Sequence, residues 1–293
     1  MQLTAPATKV FLLPPKQVVT ALPPLAETCY DQLRAGFALQ TTHLLTDDPG
    51  SADLILAPIQ NAGYGLRFEA LRSSKIYQPY AGKLIVYSPD DNQFPSLRGL
   101  YPAAPLRWVR RGWALPAHYI SSHIHRFSFS ADEAAQKDLL FSFVGSSRTH
   151  PIREKILQWR HPRAVVLDSS SKSDRHYWWE KENKDDLLDS FREITRRSRF
   201  VVCPRGVSAS SIRLFEAIEA SSVPVIVADD LALPLGPNWE EFSIRVRERE
   251  IDDVPRLIEH YADRAFEMGA AARRAWETYF SPEASIGSVV AWA

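Results

Sequence analysis

Residues 199–218, RFVVCPRGVSASSIRLFEAI, read as an apolar strand that ends in a turn and feeds a helix. That arrangement suits anion binding. Pro204 stops the strand, Gly206 lets the backbone turn tightly, and Ser208, Ser210 and Ser211 offer caps for a helix predicted over 210–220. Free amides at such a helix start attract an anion, and a diphosphate fits there. Arg213 and Glu216 are three apart and share one side of the helix, while Leu214, Phe215, Ala217 and Ile218 face the sheet. A carboxylate in the second turn can accept both hydroxyls of a ribose, each charge-assisted bond contributing about 1.5–3 kcal/mol. Arg205 and Arg213 can grip phosphate oxygens in a fork. The competing reading is a surface ion pair between Arg213 and Glu216, which would contribute next to nothing.

Residues 141–153, FSFVGSSRTHPIR, repeat the pattern. Gly145, Ser146 and Ser147 can bring amides toward an anion, and Arg148 and Arg153 can neutralise it. The alternative is an ordinary strand-to-helix turn with its arginines in solvent. Two such turns on neighbouring units of one sheet can share a diphosphate.

The elements that position these turns follow from the apolar pattern. In the first half, strands are predicted over 9–13, 53–57 and 83–87, and helices over 25–37 and 66–72. The Pro- and Arg-rich stretch 97–125 has no clear assignment. In the second half, strands are predicted over 139–144, 164–167, 200–203, 223–227 and 242–246. Helices are predicted over 152–159, with Pro151 suited to the first helical position, over 185–197, and through a long region at 253–279. The stretch 168–183 reads as a polar loop carrying Tyr177-Trp178-Trp179, whose rings can stack on a sugar or cap the core. Short apolar strands alternating with helices indicate parallel sheets covered on both faces. The expected fold is α/β, with two Rossmann-like lobes whose parallel sheets face a central cleft. The expected domains are 1–135, 136–270 and a C-terminal helix over 271–293 that returns to the first lobe. Ligands in such folds collect at the carboxyl ends of strands, so the loops after Val144, Val202 and Val227 are the places to search.

Composition narrows the function. The 293 residues carry 35 basic and 35 acidic side chains, so no charge bias points to nucleic acid. Cys29 and Cys203 make neither a disulfide framework nor a metal set. No signal peptide is visible, and the longest aliphatic runs are strand-sized, so no integral membrane segment is expected and the protein is placed in the cytoplasm. A dinucleotide fingerprint is missing: Gly63-x-Gly65 has Phe68 where the third glycine belongs.

The motifs together resemble the exostosin-type glycosyltransferases, family 47. The resemblance rests on Val202-Cys203-Pro204-Arg205-Gly206, Arg213-Leu214-Phe215-Glu216-Ala217, Val223-Pro224-Val225-Ile226, Leu233-Pro234, Asn238-Trp239 and Trp276-Glu277-x-Tyr279-Phe280, and covers about 139–280. Ser221-Ser222 stands where the family has Gly-Cys, and the first half matches weakly, chiefly at 83–88. The resemblance implies a GT-B fold and an inverting transfer, usually from a UDP-sugar, to a glycan or other hydroxyl acceptor, as in polysaccharide biosynthesis. By position Glu216 would hold the ribose, Arg213, Arg148 and Arg153 would lie near the diphosphate, and Ser210 and Ser211 at the anion-binding helix end.

An inverting transfer needs positive charge on the leaving diphosphate and often a general base. The chain contains no Asp-x-Asp, so arginines and amides are expected in place of a cation, with no cofactor and no metal. The base is expected at a strand end of the first lobe, where Asp90 and Asp91 follow a strand; Ser88-Pro89-Asp90-Asp91-Asn92 is also strong turn chemistry. His118, His123 and His125 are rivals for the base, and His123-x-His125 lacks a third metal ligand. Asp229 and Asp230 can touch the donor sugar or end their strand in solvent. The rival functions are a GDP-sugar-dependent transferase and a non-catalytic nucleotide- or sugar-binding protein.

Overall fold

The computed structural model describes residues 7–15, 27–59, 66–91, 95–109, 112–120, 136–170 and 181–293. The chain divides into two units. One comprises Met1–Ser122, Asp230–Gly236 and Tyr279–Ala293, the other His123–Asp229 and Pro237–Thr278.

The first unit runs β1 (Lys9–Leu12), α1 (Glu27–Phe37), β2 (Leu44–Leu45), β3 (Leu54–Pro58), α2 (Leu66–Arg72), α3 (Tyr77–Tyr80), β4 (Leu84–Tyr87), β5 (Gly99–Tyr101), α4 (Leu106–Val109) and β6 (Ala114–Pro116). Its strands are parallel, in the order β2-β1-β3-β4-β5-β6. Side chains alternate across the sheet with a period of two. Val10, Leu12, Leu54, Leu56, Ile85 and Tyr87 pack with Cys29, Leu33 and Phe37 of α1. Phe11, Ile55, Ala57, Leu84 and Val86 pack on the other face with Phe68 and Leu71 of α2. Both faces of the central strands β3 and β4 are covered, so every residue in them is buried.

The second unit runs β7 (Leu139–Gly145), α5 (Ile152–Leu157), β8 (Ala164–Asp168), α6 (Lys181–Arg197), β9 (Ser198–Pro204), α7 (Arg213–Glu219), β10 (Val223–Val227), α8 (Trp239–Phe242), β11 (Ile244–Val246), α9 (Val254–His260) and α10 (Ala265–Ala275). Its sheet is also parallel, in the order β11-β10-β9-β7-β8. Phe141, Phe143, Phe200, Val202, Val225 and Val227 form one core with Ile152 and Ile156 of α5, Val254 and Ile258 of α9, and Ala265 and Met268 of α10. At the amino end of the sheet the buried Lys137 ammonium donates to Arg196 O (2.8 Å), Ala220 O (2.9 Å) and Ser222 Oγ (3.0 Å). It ties the ends of α6 and α7 to the start of β7.

Two expectations are corrected. The segment 271–293 is not one helix. Its start continues α10, whose Met268 and Ala272 are buried and whose Arg273 donates to Glu219 O (2.7 Å) in the second unit. Only the part from Tyr279 joins the first unit, where α11 (Ser285–Trp292) lays Ile286 and Val289 against α1. The long helical region over 253–279 is present as α9 and α10, joined by a 3₁₀ turn at Ala262–Arg264 and followed by a π-helical segment at Trp276–Phe280. The helix over 210–220 begins at Arg213, because the small residues Ser208, Ala209 and Ser210 are buried as loop and Leu214 N bonds Ser211 O in a 3₁₀ start. The unassigned stretch supplies β5, α4 and β6. Among the described residues no helix is long and apolar enough to cross a membrane.

Candidate functional site

Across the second sheet the strands read β8-β7-β9-β10-β11. The chain leaves β7 toward one edge and returns on its other side as β9. Connections from the two strands run over opposite faces, and such a switch point is where open α/β sheets bind ligands. Both predicted turns are there: Gly145 and Ser146 end β7, and Arg205 and Gly206 follow β9.

Arg153 joins the two turns. Its Nη1 donates to Ser146 O (3.2 Å), its Nε to Arg205 O (2.9 Å) and its Nη2 to Pro204 O (3.2 Å). The side chain is buried and its guanidinium carbon lies 5.9 Å from the centre of the Phe143 ring. A Cβ on Gly145 would come within 3.3 Å of Arg153 Nη1, and one on Gly206 within 3.2 Å of Nη2. Gly206 has no positive φ, so its role is this close approach, not the tight turn expected from sequence. Arg153, expected to neutralise a ligand's charge, bonds backbone carbonyls of both turns and so clasps them together.

Beside the clasp, Glu216 is 1% exposed. Its Oε2 accepts from Arg213 Nη1, whose Nε donates to Val144 O (3.2 Å). The Arg213 guanidinium lies 3.8 Å from the centre of the Phe191 ring. The pair is therefore no surface ion pair. Three contacts orient Arg213, and removing one partner would leave a charge buried and unpaired. Among the described residues, Glu216 Oε1 and Arg213 Nη2 have no hydrogen-bond partner.

The remaining expected residues fall around this centre. Ser208 and Ser210 are buried. No serine caps α7: its first cap position is Ile212, without a side-chain bond. Ser210 Oγ and Arg205 Nε are buried without a partner, and a buried donor left so carries a desolvation penalty until a ligand meets it. Arg205 Nη1 lies 3.3 Å from Glu248 Oε1. Ser146 Oγ accepts from Arg148 N (3.3 Å), and the Arg148 side chain is exposed. Ser211 is half-buried at the entry to α7. Cys203 is an unpaired buried thiol; burial first and Glu216 second push its pKa up, so it is no nucleophile.

Three residues in this neighbourhood are not among those the sequence singled out. Asp168 ends β8 and holds Ser147. Glu248 and Asp229 form a reciprocal pair, with Glu248 N donating to Asp229 Oδ1 (2.9 Å) and Asp229 N to Glu248 Oε1 (3.2 Å). Asp229 is exposed past the end of β10 and takes part in that pairing. His150 is half-buried, and its imidazole is held below its ordinary pKa by burial first, then by Arg205 and Arg153, with Glu248 opposing. The signal for Asp168 was available: the rule about carboxyl ends of strands applies to Leu167-Asp168 as it does to Val144-Gly145.

In the first unit, Asp90 is half-buried and lines a crevice with Pro95, Tyr101, Ala103, Ala104, Pro105 and Ala114. Its charge is felt by Arg67, whose pKa is lowered by burial and raised by Asp90. Asp91 is exposed. His118 does not rival Asp90. It is buried, with its ring centre 5.3 Å from Phe280 and 5.7 Å from Trp292. Burial holds its pKa down at about 3, so it stays neutral. Asp230 pairs loosely with Arg107, 3.9 Å away. His123, His125 and Tyr177-Trp178-Trp179 lie outside the described residues.

The family model described as the exostosin GT47 domain matches residues 111–261, just over half of the chain. A probable glycosyltransferase of Arabidopsis thaliana is 38% identical over 92 residues, covering 28% of this chain and 19% of that protein. Exostosin-1 of Drosophila melanogaster is 25% identical over 162 residues, covering 50% of this chain and 21% of that protein. The chain spans about a fifth to a third of the length of the curated relatives it matches. Among solved structures, Anabaena Alr3699/HepE in complex with UDP aligns with a TM-score of 0.49 at 11% identity, over 97% of this chain and 99% of that one. Two doubly wound parallel sheets in one chain are the make-up of the GT-B fold. The chain belongs to the exostosin GT47 family.

Proposed function

We propose that the protein is a glycosyltransferase that moves a sugar from a UDP-sugar to a hydroxyl acceptor such as a glycan. The observation that carries this reading is the switch point of the second sheet. There a clasped pair of glycine turns adjoins an oriented arginine, a carboxylate with one oxygen unbonded, and buried donors without partners. Donors and a carboxylate side by side suit a ligand that is an anion at one end and a diol at the other. In this reading Ser210, Arg205, Arg213 and Arg148 meet the diphosphate, with Ser208 and Ser211 shaping the loop beneath it. Gly145, Ser146 and Gly206 line it closely, and Glu216 Oε1 accepts from the ribose. Arg153 acts through the turns it joins. Positive charge fixed beforehand on the leaving diphosphate stabilises the transition state without reorganisation.

The transfer inverts the sugar's anomeric centre and needs no metal, since arginines supply the charge a cation would bring. Asp90 is the candidate base in preference to Asp91, because a half-buried carboxylate beside a crevice can meet an acceptor and an exposed turn carboxylate is solvated. The buried, unpaired Cys29 and Cys203 suit a reducing, cytoplasmic setting.

Thermal denaturation with UDP or GDP tests the donor assignment. Millimolar UDP should raise Tm by several degrees and GDP by much less, and activity should survive EDTA. Selective stabilisation by GDP, or strict dependence on added metal, would overturn the respective part.

A further inference from the structure

The turn after β7 is held from two sides. On the β9 side, Arg153 takes Ser146 O. On the β8 side stands Asp168, whose carboxylate collects four donors among the described residues. Ser147 N (3.1 Å), Ser170 N (2.9 Å) and Ser170 Oγ (2.5 Å) reach Oδ1, and Ser147 Oγ reaches Oδ2 at 2.7 Å. The two serine hydroxyls are 3.0 Å apart. A carboxylate at the end of one strand thus binds both the backbone and the side chain of a residue in its neighbour's loop. Burial works against the charge, but the bonds from Ser170 and Ser147 outweigh it and bring the carboxyl to about 2. Asp168 is thus an ionised acceptor across the working pH range. Ser146 lies between the two anchors, bonded through its carbonyl to Arg153 and through its hydroxyl to Arg148 N.

We propose that Asp168 is a positioning residue, which fixes the turn 146–149 from the β8 side in the shape in which Ser146 and Arg148 meet the donor's diphosphate. The proposal rests on the diphosphate reading given above. Without Asp168, the turn would keep the contact of Ser146 O to Arg153 and the backbone bond from Ser169 N to Gly145 O (3.1 Å), and a charge-assisted set of bonds would be lost. A residue that acts in this way should affect the phosphate end of the ligand and spare the nucleoside end.

The test uses the full chain with two readouts, amide hydrogen exchange over 145–149 and calorimetric affinities for UDP and for uridine. In Asp168→Ala, exchange of the turn should speed up by about tenfold or more. UDP affinity should fall about tenfold with uridine affinity unchanged. Asp168→Asn keeps an acceptor toward both serine amides and should restore each value to within about threefold. Unchanged exchange in folded Asp168→Ala, or equal weakening of UDP and uridine, overturns the proposal. Ser147→Ala removes a bond from the other partner and stands in if Asp168→Ala does not fold; unaltered exchange there overturns it as well. If the unmodified protein binds no UDP, the diphosphate reading fails, and the exchange comparison alone decides the role of Asp168.

Discussion

The two sheets are wound alike, with the second strand, the first, the third and the fourth side by side in each, yet their switch points differ in chemistry. In the second unit the strands on either side of the switch run into Gly145-Ser146 and Arg205-Gly206, and buried polar atoms gather around them. In the first unit the described residues that follow the corresponding strands, β1 and β3, are Leu13-Pro14-Pro15 and Ile59, which are apolar. Polar groups described at a carboxyl end there include Ser88 and Asp90, after β4. The winding creates a place for a ligand, and the residues at the strand ends decide whether polar chemistry is built into it. Each unit therefore takes a separate part in the account. In the proposed reading the second binds the donor's charged end, and the first supplies a carboxylate.

That division can be broken by mutation. The largest effect is expected for Asp90→Asn, which should lower kcat by about 10²–10⁴-fold and leave UDP affinity unchanged in calorimetry. Loss of UDP binding in that variant would erase the division. Glu216→Ala should weaken UDP by about 3 kcal/mol, roughly a hundredfold, because it removes the ribose acceptor and leaves Arg213 less firmly oriented. Unchanged affinity in a folded variant would remove Glu216 from the site.

A matched glycine pair sharpens the comparison. Gly206→Ala places a methyl 3.2 Å from Arg153 Nη2. It should cost about 1–3 kcal/mol of stability and about tenfold in UDP affinity. Gly112, in the first unit, has φ +69° and open space around it. Gly112→Ala should cost about 1–2 kcal/mol through backbone strain with no effect on UDP. Denaturant melts alongside calorimetry separate the two; an equal effect on UDP from both would show that stability, not geometry, governs binding.

Much of this was readable in the sequence, for identifiable reasons. Parallel strands buried on both faces are continuous apolar runs, and Val223–Val227 appears at its expected bounds. The turns at Gly145 and Gly206 were marked by glycine between a strand and a helix. What the sequence hid is contact at a distance. Arg153 is eight residues beyond Gly145 and more than fifty before Gly206, and nothing in its spacing shows that it bonds Ser146 O and Pro204 O. The burial of Glu216 was equally hidden, because a charged pair three apart on a helix reads the same in solvent or under a phenyl ring. Stretch 97–125 resisted assignment since β5 and β6 have three residues each and are separated by a proline-rich chain.

A crystal structure of the protein soaked with UDP tests the central claim most directly. The account predicts density for the diphosphate between the turns 145–148 and 205–211, with a ribose hydroxyl within hydrogen-bond distance of Glu216 Oε1. A nucleotide bound away from the ends of β7 and β9, with Glu216 untouched, would contradict it.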